Sequence, residues 1–459
     1  MKSKGNNVKY NSTHMIIYGF LAAILLGSLI LMLPICSANG RWTDFLTALF
    51  TSTTSVCVTG LVVVPTYAYW SIFGKIIILI LIQLGGLGII CFTIGFLVFT
   101  GRRISLKERR LIQESYNLDS SQGIIRNIRK IFGITFLFEV IGAVVYSLRF
   151  IPAYGVVKGI WYSIFHSVSA FCNAGVDILG DTSLRMFQND IVINLTTVIL
   201  VLSGSIGFIV WWDILKIYKM IRYEGLPFRK ITERMTLHTK LALIVTFILI
   251  VFGTLYIMIA EYNNPETIGN MGFGQKLMAS FFHSISLRTA GFWTINPTGF
   301  RAATYILLCI FMFIGGSPMG TAGGIKTTTF AMVVLEVISV IRGKNDTEVL
   351  KRRINRESVR TALTVITITI FILIIALIAL TVTEDASLKQ VVFETFSATG
   401  TAGASMNFTA DLSIMGKIIV IVLMFQGRVG PVTMAMALSN SKISEQNIKD
   451  LPEKKILIG

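Results

Sequence analysis

Apolar residues run in long blocks along this chain, and charge is confined to the stretches between them. The blocks at 15–34, 74–99, 131–151, 191–215, 241–260 and 362–382 each reach or approach the length a helix needs to cross a bilayer, about 20 residues for about 30 Å of hydrocarbon. Two further blocks contain breaks: 304–341 is interrupted at 315–324, and 412–438 at 426–431. The pattern predicts eight spans. The first block, with Lys2, Lys4 and Lys9 before it, has the outline of a secretory signal. It is longer than a cleavable apolar region, and Cys36-Ser37-Ala38-Asn39 fits a cleavage site poorly, so a retained span is expected.

Composition agrees with this reading. Of 459 residues, 53% are hydrophobic and 14% charged, where a soluble domain carries roughly 25% charge. A soluble enzyme and a disordered chain are both excluded. Cys36, Cys57, Cys91, Cys172 and Cys309 all lie in or beside apolar blocks. Their odd number and the lack of a Cys-x-x-Cys pair argue against a disulfide framework or a zinc site.

The net charge is +17, from 41 Lys and Arg against 24 Asp and Glu. The basic residues gather in three loops, 101–130, 216–240 and 342–360, whereas 35–74 has only Arg41. The positive-inside rule places both termini and the three basic loops in the cytoplasm. Because orientation already accounts for the charge, no nucleic-acid partner is expected.

Four non-cytoplasmic segments resemble one another. Each has an apolar or amphipathic run too short to span, then a small-residue stretch with a glycine. The runs begin near Asp44, Gly159, Ala279 and Val391, and the stretches end Val58-Thr59-Gly60, Asn173-Ala174-Gly175, Thr289-Ala290-Gly291 and Thr401-Ala402-Gly403. The expected fold is an all-α polytopic membrane protein, with four span–pore-helix–loop–span repeats around one central pore per chain. The boundaries are a cytoplasmic N-terminus at 1–14, repeats at 15–100, 128–217, 236–341 and 357–438, and a cytoplasmic tail at 439–459. Non-helical backbone at membrane depth is tolerated where it lines a watery cavity or is buried in protein. A ring of backbone carbonyls there can replace the hydration shell of a monovalent cation. The negative dipole ends of four half-helices would favour that cation further.

At these loops the sequence resembles the Ktr/Trk/HKT superfamily of potassium uptake proteins over nearly its whole length. Thr51-Ser52-Thr53-Thr54-Ser55-Val56-Cys57-Val58-Thr59-Gly60-Leu61 resembles the family's first pore loop, and Ser286-Leu287-Arg288-Thr289-Ala290-Gly291-Phe292 the third. Eight spans resemble the bacterial KtrB type. The resemblance implies potassium as the substrate, sodium as an activator, and filter glycines at Gly60, Gly175, Gly291 and Gly403. Glycine at 60, where sodium-preferring plant relatives often carry serine, favours potassium. Pro65 departs from the acidic residue that relatives often carry just after the first loop. A sodium-coupled or sodium-selective carrier is the alternative.

The break Ile314-Gly315-Gly316-Ser317-Pro318-Met319-Gly320-Thr321-Ala322-Gly323-Gly324-Ile325-Lys326-Thr327 cannot remain a regular helix. A phosphate-binding loop is excluded, because Ile325 separates Gly324 from Lys326 and no strand precedes it. By resemblance this segment is an intramembrane gating loop. Arg428, in the last break, resembles the family's arginine of the last span, which implies a contact with this loop. An arginine in a span costs about 2.5–3.5 kcal/mol on insertion scales, so it faces a cavity or a partner.

Other candidates have simpler accounts: Asp177 as a loop acid, Asp44 and Glu394 as helix-end stabilisers, His166 and His283 as packed or hydrogen-bonded side chains. Ser317 and Ser405 lack a helical Ser/His or paired-Asp constellation, so no enzyme is expected. No cytoplasmic segment is long enough for a dinucleotide-binding fold. The resemblance therefore implies a separate cytosolic RCK-type ring, KtrA/KtrC-like, which alone would bind nucleotide. It also implies a homodimer with one pore per protomer in the cell membrane.

Overall fold

A computed structural model of the chain describes residues 12–89, 91–92, 124–180, 182–225, 227, 231–431 and 433–434. Most of the expected N-terminus, most of the basic loop at 101–130, residues 90 and 93–99 of the block at 74–99 and the whole of the tail at 439–459 lie outside the described residues.

Among the described residues, fourteen helices of more than one turn build the structure: α1 Ser12–Leu31, α2 Phe45–Val56, α3 Ile72–Leu87, α4 Ile124–Tyr154, α5 Val156–Phe171, α6 Ile191–Ser205, α7 Phe208–Glu224, α8 Leu237–Glu261, α9 Phe273–Ser286, α10 Ala302–Phe313, α11 Thr327–Ile341, α12 Arg356–Thr383, α13 Leu388–Gly400 and α14 Ile414–Val429. One-turn helices occur at Thr66–Tyr69 and Ile231–Arg234, and a small hairpin pairs Glu348–Val349 with Arg352–Arg353.

Four described helices are long and apolar enough to span without interruption: α1, α4, α8 and α12. Their outward faces expose Leu26, Leu148, Phe247 and Ile375. Such large apolar area is stable only against lipid. Charge is nearly absent from these faces because a bilayer cannot solvate it.

The blocks at 74–99 and 191–215 were expected to be unbroken, and both are interrupted. Helix α3 stops at Gly88, which has φ 82°. Helices α6 and α7 meet at 96° across Ile206-Gly207, with Gly207 at φ 95°. The missing Cβ explains the second break twice over. It permits the left-handed backbone, and a Cβ there would lie 2.3 Å from the Pro318 carbonyl oxygen.

Short helices pack inside the long ones through a recurring clasp. Ser52 of α2 donates to Ile24 O of α1, Ser167 of α5 to Glu139 O of α4, and Ser284 of α9 to Ile250 O of α8. Three residues beyond each acceptor stands Gly27, Gly142 or Gly253, whose Cβ would overlap that serine hydroxyl at 2.5 Å. Small residues let backbones approach closely, the main source of helix association in lipid. The hydroxyl then fixes the register.

Contacts between the units close a ring. Helix α3 packs on α5, α6 on α9, α10 on α13, and α14 returns to α2. The four short helices α2, α5, α9 and α13 are thereby grouped about one axis. Their buried faces are unusually polar, with Thr51 to Ser55, Ser163, Ser167, Ser169, Ser284, Ser286, Thr395 and Ser397 all inside.

Candidate functional site

Each short helix delivers its C-terminal end to the axis and is followed by three residues of alternating backbone hand. Val58, Asn173, Thr289 and Thr401 have φ 55°, 58°, 78° and 48°. Gly60, Gly175, Gly291 and Gly403 have φ 95°, 64°, 73° and 74°. Three of the four leading residues are β-branched, a type that resists positive φ. Strain of this kind persists only where surroundings impose it, and it clusters at functional sites.

The amides of these segments point back into their own helices. Thr59 N donates to Thr54 O, Ala174 N to Ser169 O, Gly291 N to Ser286 O and Ala402 N to Ser397 O, at 2.8, 2.8, 2.9 and 2.8 Å. Hydroxyls secure the flanks: Thr54 accepts from Gly60 N, Ser169 donates to Val176 O and Ser286 to Phe292 O. One amide in each segment is thus committed to the helix that precedes it.

The four segments meet in a closed ring. A Cβ on Gly60 would sit 2.4 Å from Ala174 O, on Gly175 2.2 Å from Ala290 O, on Gly291 2.5 Å from Ala402 O, and on Gly403 2.1 Å from Thr59 O. All twelve residues singled out in these loops are thus brought together. The ring has a cavity on each side. One, about 480 Å³, is lined by the four glycines together with Pro65, Asp177, Arg185, Ser405 and Asn407. The other, about 420 Å³, is lined by Thr399, Gly400, Gly320, Gly324, Lys326 and Arg428.

The broken segment between α10 and α11 folds back beneath the ring. Its two ends are clasped, Gly315 N donating to Ile325 O (2.9 Å) and Ile325 N to Phe313 O (3.0 Å). Thr327 N donates to Gly316 O, and the Ser317 hydroxyl meets that of Thr327 at 3.0 Å. The bend at Gly207 receives the middle of the loop: Ser317 N donates to Ser205 O, Thr321 N to Gly204 O, and Phe208 N to Met319 O. At the other edge a Cβ on Gly323 would strike the Thr401 hydroxyl at 1.8 Å. The loop therefore runs directly against the fourth glycine segment. Lys326 turns its ammonium to Ala322 O at 2.7 Å.

Arg428 joins three elements. Its guanidinium donates to Thr321 O in the loop and to Gly85 O and Gly86 O at the end of α3. The eight residues singled out around the two breaks are thus in one place.

Lesser candidates divide. Asp44 caps α2, accepting from Leu46 N and Thr47 N at 3.0 and 3.2 Å. His166 and His283 bond through Nδ1 to the carbonyls one turn back, Tyr162 and Ala279. Glu394 differs from expectation. It is fully buried in mid-helix, where no helix-end effect reaches, and accepts from Ser405 (2.8 Å) and Thr409 (2.5 Å) beyond the fourth segment. No cluster of three metal-binding side chains occurs among the described residues.

Sequence reasoning missed the breaks at Gly88 and Gly207. A signal was available: glycines three apart recur at 85 and 88, 204 and 207, and 427 and 430. The first of each pair abuts the end of a short helix, at the carbonyls of Val56, Phe171 and Thr399. The second has φ 82°, 95° and 96°.

A bundle that is apolar outside, with a polar ring of backbone between two internal cavities, is a multi-pass membrane transport protein. Residues 8–449 match the family model for the TrkH cation transport protein. The chain is 38% identical to the potassium/sodium uptake protein NtpJ of Enterococcus hirae and 37% identical to the Ktr system potassium uptake protein B of Bacillus subtilis, each alignment covering 98% of both chains. The crystal structure of the potassium transporter TrkH from Vibrio parahaemolyticus superposes with a TM-score of 0.72 at 18% identity, covering 96% of this chain and 87% of that one, a likeness of fold. The chain belongs to the TrkH family of cation transport proteins and is a transporter, not an enzyme.

Proposed function

We propose that this protein takes up potassium ions through the ring formed by its four glycine loops, as the ion-translocating subunit of a Ktr-like system. The observation that carries the reading is the closed series of contacts from Gly60 to Ala174 O, Gly175 to Ala290 O, Gly291 to Ala402 O and Gly403 to Thr59 O. Carbonyl oxygens so arranged replace the hydration shell of a monovalent cation without any carboxylate. The four helix C-termini that precede them add partial negative charge at the same level. The relatives named for potassium uptake support the choice of ion.

The loop at 314–327 is the gate. It crosses the path on the side of the ring that holds Lys326 and Arg428, so a cation leaving the filter meets backbone and fixed positive charge together. Like charges a few ångströms apart repel by several kcal/mol at an effective dielectric of about 20. Conduction therefore requires the loop to move. The force comes from a cytosolic RCK-type ring that binds nucleotide and docks on the basic loops. Two protomers, each with its own pore, sit in the cytoplasmic membrane with both termini in the cytoplasm. Sodium acts as an activator and not as the coupled ion.

The test is complementation of potassium-uptake-deficient cells at low potassium, with and without a co-expressed regulator, followed by uptake with sodium as competitor. Growth and potassium-preferring uptake are expected. Uptake that follows sodium and ignores potassium would overturn the reading in favour of a sodium carrier.

A further inference from the structure

Arg288 stands immediately before the third filter segment and is almost wholly buried. It takes part in none of the ion pairs among the described residues. Its Nε has no hydrogen-bond partner, and its Nη2 donates to Gly315 O at 3.2 Å. A buried guanidinium beside a cation path is costly in a membrane and calls for a role.

Its single acceptor gives that role. Gly315 is where the intramembrane loop begins, and its amide holds Ile325 O, where the loop ends. The space there is closed, since a Cβ on Gly315 would lie 1.9 Å from Gly323 O. Arg288 thus grips the point at which both ends of the loop are tied. The residue next to it, Thr289, holds φ 78° at the head of the third filter segment. We propose that Arg288 is a positioning residue that ties the third filter segment to the intramembrane loop, holding the loop in its closed place. The proposal rests on the reading of the loop as a gate.

The experiment compares Arg288→Lys and Arg288→Gln in the full chain and in a chain lacking 320–323, measuring potassium uptake per folded protein at the membrane. With the loop intact, both variants should raise uptake about three- to tenfold, since a charge-assisted bond to the loop is lost or misplaced. With the loop shortened, neither should change it. Gly315→Ala, which displaces the acceptor and leaves Arg288 intact, should give the same rise, and Arg288→Lys should add nothing to it. Equal fold-changes with and without the loop, or a rise in Arg288→Gln alone, would show that Arg288 acts through its charge on the filter and would overturn the proposal. So would unchanged or lower uptake in the Arg288 variants of the full chain. If shortening the loop fails to raise uptake at all, the gate reading itself falls.

Discussion

Gly60→Ser would set a Cβ 2.4 Å from Ala174 O and 3.3 Å from the α-carbons of both Gly175 and Gly403, at a φ of 95° that serine rarely adopts. The segment must shift, and the carbonyl it displaces belongs to the ring. Discrimination between potassium and sodium should fall about tenfold, equivalent to about 1.4 kcal/mol between the two ions. Competition uptake measures this, and unchanged preference in folded protein would remove Gly60 from the filter. Glu394 makes a different case. Glu394→Gln keeps only one accepting oxygen for the two hydroxyls of Ser405 and Thr409. A loss of about 1–2 kcal/mol is expected, read as a lower melting temperature in detergent; an unshifted melting curve would show that the carboxylate does not hold the outer turn. The glycines at 60, 175, 291 and 403 were legible in the sequence because a short run followed by a small-residue stretch with a glycine recurs four times. Glu394 was not, because its partners lie 11 and 15 residues further along the chain.

Among the elements, the loop at 314–327 and the span that carries Arg428 meet through Thr321 O. Deleting 320–323 should raise potassium flux, because it removes backbone from beneath the fourth segment of the proposed filter. Arg428→Ala should also raise it, by roughly tenfold for each 1.4 kcal/mol taken off the limiting barrier. The opposing effect is structural, since the arginine also holds Gly85 O and Gly86 O at the end of α3. Flux must be counted per folded protein at the membrane; a fall in both variants would assign these elements to scaffolding. The breaks in α3 and between α6 and α7 show where hydrophobic pattern runs out. Apolar residues continue through Leu87-Gly88-Ile89 and Ile206-Gly207-Phe208, so hydropathy alone reads a straight helix. The turn is set by a left-handed glycine and by the backbone packed against it. The break at 315–324 was legible because five glycines and a proline crowd one apolar block.

At the scale of the whole molecule, the proposed docking surface and the proposed filter are on different parts of the chain. Removing the cytosolic partner should lower or deregulate flux and leave the potassium-to-sodium ratio unchanged. The measurement is uptake by cells with and without the regulator, and a purified subunit that responds to nucleotide by itself would defeat the idea of a separate sensor. Long helices and the overall class followed from apolar block length. A ring of four units was expected from the repeat, but the particular closure of α14 onto α2 was not, because it joins opposite ends of the sequence. That closure sets how the protein can change over generations. The ring is written by four separate stretches of a single gene product, with valine, asparagine and two threonines at equivalent places. In a pore assembled from four identical subunits, any substitution lands four times at once. Here it lands once, so under the proposed reading ion preference can drift by quarter steps, each small enough to be tested by selection before the next.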